Sequence, residues 1–169
     1  MKNLWAPWRM EYIGNLPADG CFLCQAWQSE ADERNFLLWR GESTFVILNR
    51  FPYSNGHLMV ATAEHGLLLA DLKDGTLVEL VRATARMQEL LERVVHAQGF
   101  NIGLNLGRVA GAGVTDHLHL HVVPRWEGDT NFMPALADVK VIPQALEELY
   151  HKLKAALAEA ETQPAKRAP

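Results

Sequence analysis

Hydrophobic positions recur along the chain with two periods. From about Gly75 to Gln98, the residues Leu77, Leu80, Val81, Thr84, Met87, Leu91, Val94 and Val95 return every three or four positions, with Glu79, Arg82, Arg86, Glu89 and Arg93 on other faces. This spacing predicts an amphipathic helix, with Asp74 as its N-cap and Gly99 where a left-handed C-terminal cap is needed. A second helix is predicted from about Pro143 to Ala160, ahead of the tail TQPAKRAP. Runs rich in β-branched and aromatic residues predict strands at Glu42–Leu48, His57–Ala61, Phe100–Leu106 and His117–Val123, the last ended by Pro124. Asn49–Gly56 (NRFPYSNG) is dense in turn formers, and Arg108–Asp116 is a Gly-rich loop. The first forty residues are aromatic-rich but broken by Pro7, Pro17 and Gly20, and read as an arm and loops leading to a cysteine pair. Strands outnumber the helices that cross between them. The expected class is therefore α+β, a mostly antiparallel sheet with helices packed on it.

Composition narrows the function classes. A chain of 169 residues, 49% apolar and 21% charged, is the size of one globular domain and can bury a core without disulfides. No repeat or dividing linker is visible, so one domain is expected over residues 1–160, with a flexible tail at 161–169. The net charge of −4 argues against a binder of nucleic-acid backbone, yet leaves room for a small phosphorylated substrate held by local donors. The N-terminus lacks a continuous apolar targeting core, and the apolar run Leu67–Leu72 is far shorter than the ~18 residues that span a bilayer. A soluble, cytoplasmic protein without a membrane partner is the expectation.

Candidate chemistry concentrates in His117-Leu118-His119-Leu120-His121-Val122-Val123. In a strand the three imidazoles share one face while Leu118, Leu120 and Val122 enter the core. Three imidazoles are costly core filling unless each finds a partner. The bland alternative is a His-rich strand facing solvent; the functional ones are a metal site or a nucleophile with helpers. Cys21 and Cys24 form a C-x-x-C pair, which in a chain with no export signal reads as a metal or redox pair rather than a structural disulfide.

The segment 117–123 resembles the motif of the histidine triad family of nucleotidyl hydrolases and transferases, His-φ-His-φ-His-φ-φ with φ apolar, at every position. Leu48–Pro52 with Gly56–Val60, Asn101–Gly107 with the Gly-rich loop, and Val123–Trp126 resemble the family's other blocks in order. Gly128–Phe132 and Lys140–Pro143 are most similar to its bacterial diadenosine-polyphosphate phosphorylase branch. The resemblance implies a five-stranded, mostly antiparallel sheet, a homodimer or higher oligomer, and no organic cofactor. It also implies a two-step transfer, in which an imidazole nitrogen attacks an α-phosphorus and the nucleotide then passes to water or phosphate. The substrates implied are dinucleoside polyphosphates or nucleoside phosphoramidates.

His119 matches the nucleophile, and His121 the histidine that reaches the phosphate or leaving-group oxygen. His57 matches the histidine placed across the pocket from it, Asn105 the amide on the phosphates and Asn49 the residue near the ribose. Backbone N–H groups of the Gly-rich loop, Gly113 among them, would stabilise charge at the phosphate. Related chains often carry Ser or Gln near Gly113 and Val114, and Thr115 is the hydroxyl available here in their place. Cys21, Cys24, His65 and His117 match a tetrahedral structural zinc site of the family. Buried thiols or a redox pair are the alternatives for the cysteines. A metal-dependent hydrolase using His117, His119 and His121 as ligands, and a non-catalytic nucleotide-binding regulator, are the rival functions. Trp5 and Trp8 suit either an oligomer contact or packing on their own subunit, and Trp126 and Phe132 are placed near an adjoining subunit or the base. His96 is expected to complement the helix dipole and His151 to be solvated.

Overall fold

A computed structural model describes residues 20–66, 68–110, 117–129 and 142–162. Gly113, Thr115, Trp5, Trp8 and Phe132 lie outside the described residues. The ordered elements are α1 (Phe22–Gln28), α2 (Asp32–Asn35), β1 (Leu37–Arg40), β2 (Thr44–Leu48), β3 (Leu58–Thr62), α3 (Asp74–Val95), β4 (Gly99–Leu104), β5 (His119–Arg125) and α4 (Leu146–Thr162). The five strands form one sheet in the order β1-β2-β3-β5-β4, antiparallel at every pairing. The chain crosses from β3 through α3 to β4 at the far edge, and β5 then fills the slot between them. This places the histidine strand in the interior of the sheet, with His121 opposite Met59 on one side and Gly103 on the other.

Alternation along the strands divides the core into two layers. Val46, Leu48, Leu58, Val60, Leu118 and Val122 pack against Leu80, Met87 and Leu91 of α3 and Leu149 and Leu153 of α4. On the opposite face Leu37, Phe45, Ile47, Met59 and Ala61 meet Leu23 and Ala26 of α1. β2 and β3 are buried throughout, as expected of strands covered on both faces. Among the described residues no helix is long and apolar enough to cross a membrane.

Several boundaries depart from the periodicity. The long helix begins at Asp74, so Asp74 is its first residue and Lys73 takes the extended N-cap position. It ends at Val95, and His96, not Gly99, adopts the left-handed cap at φ 54°. Gln98 N–H already donates to Arg125 O at 2.9 Å, which draws the chain into β4 before Gly99 is reached. β5 runs through Pro124, which lies beyond the last β3 pair, Leu58 with Val122. There the strand has a neighbour on one side only, where proline is tolerated.

The stretch before Glu42 holds α1, α2 and β1 where loops were expected. Arg40 binds these pieces together. Its guanidinium donates to Ala26 O, Trp27 O and Ser29 O at the C-terminal end of α1 and pairs with Asp32 at 2.6 Å. Trp126 packs on its own chain, its indole N–H donating to Val95 O at 3.1 Å. His151 is exposed, with Nε2 3.3 Å from Glu33.

Candidate active site and metal centre

Odd-numbered positions of β5 and the residue pair before it put His117, His119 and His121 on the α1 face of the sheet. α1 covers only part of that face, and the three imidazoles occupy different surroundings. Their partners fix which nitrogen carries the proton, because a carbonyl oxygen can only accept and a backbone N–H can only donate.

His117 is 2% exposed. Its Nε2–H donates to Thr62 O at 2.6 Å, so Nδ1 carries a lone pair. That nitrogen lies 3.3 Å from Cys21 Sγ, 3.4 Å from Cys24 Sγ and 3.3 Å from His65 Nδ1, while Cys24 Sγ is 3.2 Å from His65 Nδ1. The four donor atoms lie within 4.8 Å of one another. Two sulfurs and two imidazole nitrogens converging from separate elements fit a closed tetrahedral zinc site. Cys21 is the N-cap of α1 and Cys24 lies in its first turn. Burial, and then the neighbouring Cys21, push the Cys24 thiol up.

His119 is 6% exposed. Its Nδ1–H donates to the His117 carbonyl at 2.7 Å, leaving the Nε2 lone pair as the free face of the ring. Burial holds the imidazole below its ordinary range. A neutral ring with one nitrogen tied to a carbonyl and the other unprotonated is the form a nucleophile needs.

His121 is reached by a relay. Tyr53 N–H donates to His57 Nδ1 at 3.1 Å, and the Asn49 amide nitrogen is 3.4 Å from the same atom. His57 Nδ1 is therefore the acceptor, and its Nε2–H donates to His121 Nδ1 at 2.9 Å. His121 consequently presents Nε2–H, and the Asn105 amide group 3.5 Å away accepts there only when turned to offer its Oδ1. His57 is fully buried, so it acts on the pocket through His121. Asn49 is also engaged within its own loop, its Oδ1 accepting from Phe51 N–H at 2.9 Å. Tyr53 and the Thr62 carbonyl carried no mark in the sequence, the first lying among turn formers and the second being backbone.

Burial, and then the proximity of His119, push the His121 imidazole down to about 4, from an ordinary value of about 6.5. Between those values the unfolded chain binds a proton that the folded chain refuses, so stability falls as pH drops from 6.5 toward 4. Denaturant midpoints measured from pH 7 to 4.5 should show a shallower fall for His121→Asn than for the wild type. Identical pH dependence in the two proteins would refute this origin.

Comparison with known proteins agrees with this geometry. Residues 30–128 match the HIT domain. The chain is 37% identical over 156 residues to an AP-4-A phosphorylase of Mycobacterium tuberculosis, covering 88% of this chain and 80% of that one. It is 24% identical over 147 residues to an adenosine 5'-monophosphoramidase of Candida albicans, covering 85% and 95%. A Zn-bound histidine triad family protein from Mycobacterium smegmatis superposes with a TM-score of 0.67 at 28% identity, covering 85% of this chain and 96% of that one. On the match of fold, triad and sequence, this chain belongs to the histidine triad (HIT) family.

Proposed function

We propose that this chain cleaves dinucleoside polyphosphates, such as diadenosine tetraphosphate, at the α-phosphate through a nucleotidyl-histidine on His119. The observation that carries the reading is the tautomer of His119, held by the His117 carbonyl with Nε2 unprotonated. Attack by Nε2 forms the N–P bond as the P–O bond to the leaving polyphosphate breaks, its electron pair going to that oxygen. His121 Nε2–H stabilises the leaving oxygen, and Asn105 stands beside it. In the second step an acceptor attacks phosphorus and the pair of the N–P bond returns to Nε2. Similarity to the M. tuberculosis AP-4-A phosphorylase favours inorganic phosphate as acceptor. Product analysis with diadenosine tetraphosphate tests this: ADP and ATP should form when phosphate is present. AMP with ATP at the same rate, indifferent to phosphate, would make water the acceptor.

Cys21, Cys24, His65 and His117 would hold one zinc ion, which joins α1 to the catalytic strand and leaves no open position for substrate. The three triad histidines do not converge on a shared point: His119 Nδ1 is tied to a carbonyl and His121 Nδ1 to His57. This disfavours the reading in which all three ligate a catalytic ion. The protein is further proposed to work in the cytoplasm as a homodimer. β4 is an edge strand with Ile102 44% exposed, and Leu106 and Val109 beyond it are exposed as well, an edge that a second copy would cover. Light scattering at micromolar concentration should give twice the mass of one chain. A monomer would refute the dimer.

A further inference from the structure

Tyr53 stands in the loop between β2 and β3, and its side chain has no part in the steps above. Its ring centroid lies 4.6 Å from that of His57 with the planes 36° apart, and 5.8 Å from that of His121 at 32°. The two imidazoles are 5.0 Å apart. The three rings form a triangular cluster in which His57 is fully buried and Tyr53 is 38% exposed, so the phenol ring is its most solvent-facing member. The same residue supplies the N–H that sets the His57 tautomer. Packing of the ring therefore holds the loop where its backbone donor is needed.

We propose that Tyr53 is a positioning and specificity residue: it keeps His57 and His121 as two neutral imidazoles joined by one hydrogen bond, and so commits the site to leaving groups that depart as phosphate anions rather than as amines. The inference rests on the nucleotidyl transfer proposed above. With either substrate class His119 Nε2 forms a bond to phosphorus and the bond to the leaving atom breaks, the electron pair going to that atom. A polyphosphate oxygen carries the pair as a stable anion and needs only the hydrogen bond from His121 Nε2–H, whose proton stays in place. The amine of a phosphoramidate must gain a proton as the P–N bond breaks, and His121 would have to supply it as an imidazolium.

That form is opposed by the relay. An imidazolium carries N–H at both nitrogens, and its Nδ1–H would face the Nε2–H of His57 across 2.9 Å. His57 would become an acceptor there only by moving its proton to Nδ1, where Tyr53 N–H and the Asn49 amide already point. Among the described residues the titratable groups facing His121 are His119 on its own strand and His57 and Tyr53 from the loop before β3. None of them offers the negative charge that would stabilise an imidazolium. Burial of His121 acts in the same sense.

The test compares kcat/KM for diadenosine tetraphosphate and for adenosine 5'-phosphoramidate in the zinc-loaded wild type, Tyr53→Phe, Tyr53→Ala and Tyr53→Gln. The His121 titration is followed in each by NMR of labelled imidazole. Wild type and Tyr53→Phe should favour the tetraphosphate by the same ratio. Tyr53→Ala and Tyr53→Gln should raise the His121 midpoint by about one unit, equivalent to about tenfold more imidazolium at a fixed pH above it, and lower the substrate ratio by a similar factor. Tyr53→Gln keeps the test decisive if Tyr53→Ala does not fold. An unchanged ratio and midpoint in a folded variant overturns the proposal. A wild type inert toward both substrates sinks the nucleotidyl-transfer reading and the specificity with it, while the His121 midpoint, read without turnover, still decides the positioning role.

Discussion

His119→Ala is expected to lower turnover of diadenosine tetraphosphate by at least about 10³-fold while nucleotide binding survives. The alanine removes the attacking nitrogen and with it the covalent route. It leaves His121, its relay through His57, and Asn105 in place, because none of their hydrogen bonds passes through the His119 side chain. Binding measured by calorimetry with a non-cleavable dinucleotide should change little, so the loss falls on kcat. His119→Gly with added imidazole sharpens the test, since a diffusible ring entering the space can restore part of the rate. A pure variant that kept more than about a tenth of wild-type activity would end the nucleophile assignment.

Cys24→Ser is expected to lower zinc content and melting temperature together. The thiol reaches both His65 and His117, so its loss opens the site on the side where α1 meets the histidine strand. A ligand that binds only the folded state adds its binding free energy to stability, about 4.1 kcal/mol at a thousand times Kd. Loss of that much would lower the melting temperature of a chain this size by roughly 8–16 °C. Metal analysis of protein purified without chelator should give about one zinc per wild-type chain and much less in the variant, with residual activity in the folded fraction. No zinc in the wild type, together with unchanged melting of Cys24→Ser, would leave the cysteines as packing residues. Turnover abolished by metal removal without a change in melting would favour a catalytic metal instead.

The parts of this fold that sequence makes legible are those whose signal is long or repeated. Leu80, Met87 and Leu91 return at helical spacing and lie in the core as the period requires. The alternation of Leu118 and Val122 with the histidines places the two sets on opposite faces. β1 was illegible because four residues carry too short a pattern. It forms because Leu37 is buried in the layer with Phe45, and because Arg40 ties it to α1 and Asp32. The end of α3 departs from the glycine signal for a related reason: pairing of Gln98 with Arg125 is a contact between residues distant in the chain, and it overrides that signal.

The site divides along the same line. Residue types and spacing mark His119, His121 and the C-x-x-C pair, and resemblance links His65 and His57 to them. What sequence does not carry is the direction of each hydrogen bond. The carbonyls of Thr62 and His117 and the N–H of Tyr53 are backbone groups with no residue signature. They nevertheless decide which nitrogen of each ring carries the proton.

Mass spectrometry of base-quenched single turnovers with diadenosine tetraphosphate, kept alkaline because a P–N bond to histidine hydrolyses in acid, maps any nucleotidyl group to its residue and tests the covalent route most directly. One adenylyl group is expected on His119, formed before product is released, discharged by phosphate or water, and absent from His119→Ala. Turnover at the wild-type rate with no adduct at any time, or an adduct on His121 instead, would contradict it.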